Sequence, residues 1–137
     1  MMNDVVNTFE EYEAVLQEYS SRIFLVEIPD GLAMEIINNH PEYREDLARN
    51  KTISQSVIRF LANDEDSRVR WRIAKKRATP PDVQIVLAQD PSDSVRITIC
   101  RNPKVPRRAL EILTQDAVDW IVEEAKERLS ELYLSND

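Results

Sequence analysis

The chain has 137 residues, 42% of them hydrophobic and 31% charged, which suits one domain or a short repeat array. A single Cys excludes an intrachain disulfide framework and any Cys-clustered metal site, and a single His excludes a multi-His zinc site. One Gly argues against Gly-rich phosphate loops and a turn-dense β-barrel, so no cofactor is expected. The net charge of −7 is unevenly spread: residues 1–65 carry 5 basic and 13 acidic groups, residues 66–110 carry 11 and 4, and residues 111–137 carry 2 and 8. An acidic protein thus has a basic waist, suited to steering an anionic partner or to pairing with the protein's own carboxylates.

The N-terminal stretch MMNDVVNTFEEYEAV has neither a positive nor an apolar signal region, and no apolar run approaches a membrane span. A soluble, cytoplasmic protein without membrane association is expected. Residues 8–19 predict a helix with Phe9, Tyr12, Leu16 and Tyr19 on one side. Residues 22–28 read either as an extended connector or as a short buried turn. Residues 1–27 are thereby assigned to an N-terminal capping helix and connector, and residues 28–137 to a helical repeat array.

From residue 43 onward, adding 26 to a position preserves its chemistry. Tyr43, Val69, Val95 and Ile121 form one column, Leu47, Ile73 and Ile99 a second, and Ala48, Ala74 and Cys100 a third. Val57, Val83 and Ala109 match, as do Leu61, Leu87 and Leu113, and Asp64, Asp90 and Asp116 close the units. Such periodicity is the mark of a stacked repeat. The segment IPDGLAMEIINNHP resembles half a unit, with Ile37 matching Leu61, so the array is expected to start near residue 28. First helices are predicted near 67–76 and 93–101, and second helices near 81–89 and 106–115. Thr79 is the expected cap of a helix beginning at Pro80, whereas Val105, in the equivalent place, is a poor capping residue. Residues 117–133 predict a terminal helix with Trp120, Ile121, Ala125, Leu129 and Leu132 inward and a polar outer face.

At about 100° per residue, Arg70 lies inside the apolar arc of its helix, as do its equivalents Arg44 and Arg96. These arginines are expected to reach the closing aspartates or helix C-terminal carbonyls. Arg49, Lys75 and Arg101 lie on the opposite side, with Arg68, Arg72 and Lys76 nearby, and Arg107 and Arg108 extend the row. These eight residues are the candidate binding strip. Trp71 matches Ile97 and is expected to pack rather than stack on a base. Cys100 falls in the small-residue column as an inert core thiol, and His40 sits at a helix junction. No residue set selects a catalytic reaction.

The phrases SRVRWRIAKKRATPPDVQIVLAQDP and DSVRITICRNPKVPRRALEILTQD resemble the leucine-rich repeat variant family, related in shape to HEAT-like α-solenoids. The resemblance rests on Asp90-Pro91, Val95-Arg96, Cys100-Arg101-Asn102-Pro103, Pro106, Ala109-Leu110 and Asp116. The preceding unit departs from it where Lys76-Arg77 replaces Asn-Pro. An all-α, right-handed superhelix is implied over roughly residues 28–125, and the 26-residue spacing leaves room for two α-helices per unit, as in HEAT repeats. The iron–sulfur module found in that family has no cysteines to hold it here. The leading expectation is a non-enzymatic protein-binding or adaptor module of the kind serving bacterial immunity or regulation, its partner a protein with an acidic surface. The alternative is a nucleic-acid-binding HEAT-like protein that uses the basic strip.

Overall fold

A computed structural model describes residues 4–18 and 21–135. Among them are nine α-helices: α1 (Phe9–Gln17), α2 (Asp30–Asn39), α3 (Arg44–Arg49), α4 (Gln55–Leu61), α5 (Ser67–Lys75), α6 (Pro81–Leu87), α7 (Asp93–Arg101), α8 (Arg107–Leu113) and α9 (Asp119–Ser135). Two 3₁₀ turns, Ser21–Phe24 and Pro41–Tyr43, complete the regular structure. The described residues form no strand; a single parallel bridge joins Val5 to Glu27. The fold is all-α, and none of its described helices is long and apolar enough to cross a membrane.

Each 26-residue period holds two α-helices. The first helices pack in series, α3 on α5, α5 on α7 and α7 on α9, while α6 packs on α8. The columns at 47/73/99, 48/74/100 and 61/87/113 are buried throughout, and Val69, Val95 and Ile121 are buried with them. Helices of seven to nine residues are marginal in isolation, so this shared core is what holds them.

A polar clasp repeats along the stack. Arg70 donates to both carboxylate oxygens of Asp90 at 2.8 and 3.1 Å, and back to the Asp64 carbonyl at 2.7 Å. One period later, Arg96 donates to Asp116 at 2.7 and 3.3 Å and to the Asp90 carbonyl at 2.8 Å. Arg44 makes a looser version, 3.4 Å from Asp64 and 2.8 Å from the Ile37 carbonyl. The same aspartates accept the N–H two residues on, from Asp66, Ser92 and Val118, each at 2.9 Å. Each closing Asp therefore turns the chain and receives the arginine of the preceding first helix.

Buried asparagines form a second ladder. Asn50 donates to the carbonyls of Ile23 and Val26, both at 2.9 Å, and Asn102 to those of Ala74 and Lys76 at 2.8 and 2.9 Å. Their side-chain oxygens accept the N–H groups of Thr52 and Lys104. Asn102→Ala removes the donor from two carbonyls between stacked units, and a buried group left unpaired costs about 1–3 kcal/mol. The expected loss in urea denaturation is about 2–4 kcal/mol; a loss below about 0.5 kcal/mol contradicts the ladder's role.

Three expectations need correction. Thr79 does not cap α6: its buried hydroxyl donates to the Ile73 carbonyl at 2.6 Å, satisfying the end of α5. The N-cap is Pro80, and Pro81 follows inside the helix; neither carries an N–H that needs a capping acceptor. Val105 is likewise no cap but a core residue ahead of Pro106, which removes the puzzle of its placement. Trp120 points outward and is 52% exposed. It shares the register of Arg68 and Ser94, both exposed, while Ile121 and Ala125 take the inward direction. Residues 22–28 combine both readings offered for them: a 3₁₀ turn burying Ile23, then extended chain where Glu27 and Val6 exchange backbone contact at 3.0 Å. Tyr19, expected on the inner side of α1, lies outside the described residues.

Candidate functional site

Helices α3 and α5 lie side by side and end at the same level. The connections that follow them, residues 50–54 and 76–80, leave a concave cavity of about 560 Å³. Its floor is apolar, from Phe24, Ala48, Ile53 and Ile58. Six cations surround it: Arg49, Lys51, Arg72, Lys75, Lys76 and Arg77. None of the lining residues is acidic.

The cations are held in different ways. The Arg49 guanidinium lies 4.0 Å from the Phe24 ring centroid, a cation–π contact that spreads it over the floor. Lys75 Nζ and the Arg72 guanidinium sit 4.6 and 4.8 Å from the Trp71 centroid. Arg72 also reaches Glu45 at 3.3 Å. Among the described residues, Arg49, Lys51, Lys75, Lys76 and Arg77 have no carboxylate within ion-pair distance. The negative ends of the α3 and α5 dipoles offset part of the repulsion that results.

Lys76 occupies the register of Asn50 and Asn102, and in place of their two carbonyl bonds its Nζ donates to the Asn50 carbonyl at 2.6 Å. Burial, and after it the charge of Lys51, lowers its ammonium from the ordinary 10.5 to about 8. Between those values the unfolded chain binds a proton that the folded one does not. This group's unfavourable contribution is thus fully present below pH 8 and is relieved as pH rises towards 10.5.

The eight candidate strip residues do not form one continuous row. Arg49, Arg72, Lys75 and Lys76 gather at the cavity, although Arg72 and Lys76 are half-buried rather than outward. Arg101 is engaged by both carboxylate oxygens of Glu124 at 2.8 and 2.9 Å, and Arg68 by Asp66 at 2.9 Å. Arg108 lies 3.4 Å from Glu111, and Arg107 covers the Tyr133 ring at 4.0 Å. The waist is therefore partly self-neutralised and partly concentrated at one place. Lys51 and Arg77 join the site from connections, where a helical wheel does not reach. The signal that marks it in the sequence is the Asn–Lys–Asn alternation at 50, 76 and 102.

Other chemistry is sparse. Cys100 is buried, and burial pushes its thiol up to about 11, which suppresses thiolate formation near neutral pH. His40 stacks on Phe9 at a centroid distance of 3.5 Å. No group of three or more His, Cys, Asp or Glu residues suited to a metal ion occurs among the described residues. Comparison of the chain with protein-family models, with curated proteins and with solved structures finds no match.

Proposed function

We propose that this chain is a non-enzymatic binding module, built as a short HEAT-like stack of the leucine-rich repeat variant type, that docks an acidic segment of a partner protein in the α3–α5 cavity. One observation carries the reading: cations without carboxylate partners surround an apolar floor in a concave site. Unpaired like charges held together oppose folding, and an arriving anion removes that opposition. The floor favours a segment that sets an apolar side chain between acidic ones. The site is a local concavity, and the Arg101–Glu124 pair neutralises the row beyond it, so the surface fits a short segment better than a continuous phosphate backbone.

The test is capture of a partner from native lysate with nuclease present, followed by rebinding of that purified partner to the wild type and to an Arg49→Glu/Lys51→Glu/Arg77→Glu variant. All three side chains are exposed, so the circular-dichroism spectrum should be unchanged. The expected result is a loss of binding of at least about tenfold, with association slowing most at low salt. Undiminished rebinding of the protein partner, or recovery only when nuclease is omitted, rejects the reading.

A further inference from the structure

The middle unit is the one whose ladder asparagine is missing. Asn50 and Asn102 each close the gap to the preceding turn with two donated hydrogen bonds. By register, an asparagine at 76 would donate to the carbonyls of Ala48 and Asn50; Lys76 reaches only the second. Ala48 and Lys76 both line the cavity, so the opening lies where the ladder is interrupted. A flexible, half-buried cation here replaces a small neutral side chain that the same fold uses twice. Nothing in the packing requires that exchange, and it adds a charge beside Lys51, Lys75 and Arg77.

We propose that the cavity is a receptor for a phosphate monoester on an apolar stem, presented as a phosphorylated side chain of the partner, with Lys76 as its innermost donor. This deepens the binding-module reading and rests on it. The charge count favours phosphate over carboxylate. A single carboxylate neutralises one of the five unpaired cations, whereas a phosphate group brings nearly two charges and three strong acceptor oxygens. Lys76 has three donors and uses one on Asn50, which leaves two for the ligand. The cavity, about 560 Å³, also has room for the stem, which lies on Phe24, Ile53 and Ile58.

The charged groups facing Lys76 around the cavity are Arg49, Lys51, Arg72, Lys75 and Arg77, with Glu45 tied to Arg72 at the edge. A bound dianion opposes their repulsion and favours the protonated amine. Binding should therefore take up a proton when measured near or above pH 8, and affinity should fall as pH rises beyond it.

Phenyl phosphate, benzoate and inorganic phosphate are titrated calorimetrically into the full chain at pH 7, and into Lys76→Asn. That variant restores the residue found at 50 and 102, so it should melt no lower than the wild type. Phenyl phosphate is expected to bind at least about tenfold more tightly than benzoate, through its second charge, and more tightly than inorganic phosphate, through its ring. Lys76→Asn is expected to lose at least about tenfold in phenyl phosphate affinity. An acidic peptide carrying one phosphotyrosine should exceed its unphosphorylated twin by a similar factor. Equal binding of phenyl phosphate and benzoate, retained affinity in a folded Lys76→Asn, absence of binding by any probe, or equal binding of the two peptides overturns the proposal. Where the peptides bind equally but both weaken in the Arg49→Glu/Lys51→Glu/Arg77→Glu variant, only the phosphate assignment falls. Where neither peptide responds to that variant, the binding-module reading falls with it.

Discussion

Arg70→Ala is expected to lower the free energy of unfolding by about 3–5 kcal/mol, and Arg96→Ala by a similar amount, because each leaves a buried carboxylate without its cation. The Arg70 side chain is 15% exposed and that of Asp90 4%, so water cannot replace the lost donor at the aspartate. The deletion also frees the Asp64 carbonyl, which Arg70 holds at 2.7 Å. Arg44→Ala should cost less, since its carboxylate contact is 3.4 Å long. Arg68→Ala is the control: its partner Asp66 is also surface-accessible, and the expected change is below about 0.5 kcal/mol. Urea denaturation of the four variants decides the matter. Equal losses for Arg70 and Arg68 would mean that the clasp is no more than a surface ion pair.

Leu87→Ala is expected to cost about 2–5 kcal/mol through lost transfer energy and a residual cavity. The residue is 2% exposed and stands in the column of Leu61 and Leu113, both fully buried. It lies in the central unit, with α5, α7 and α8 packed around its helix, so surrounding side chains have little freedom to collapse into the gap. A loss under about 1 kcal/mol, measured by denaturant titration, would place Leu87 outside the shared core.

Repetition is why so much of the fold is legible in the amino-acid order. One period read three times separates the columns that must be buried from those free to vary, and the arginine at 44, 70 and 96 is assigned inward by angle alone. The failures have local causes. Trp120 is misplaced because its hydrophobicity outweighs its register with Arg68 and Ser94. Thr79 is misread because a hydroxyl before a helix has two possible acceptors or donors to satisfy, and only the three-dimensional path shows the end of α5 within reach. The site is less legible than the fold. Angular reasoning finds Arg49 and Lys75 but spreads them into a row with Arg101. Neutralisation of Arg101 depends on Glu124, 23 residues away, and the approach of Lys51, Arg77 and Phe24 depends on how two connections stack.

The arginine–aspartate clasp also sets a rule for how this chain can change length. Every clasp is contributed half by one period and half by the next, always between residues 20 apart, with a return contact to the carbonyl 6 residues back. The edges exposed by excising one whole period are therefore complementary, because the arginine of the unit before the cut meets an aspartate in the same frame after it. Inserting one residue between arginine and aspartate shifts the carboxylate off the guanidinium and rotates the following helix by about 100°. Growth and loss by complete 26-residue cassettes are accordingly open to this architecture, while changes of a few residues within a cassette are not.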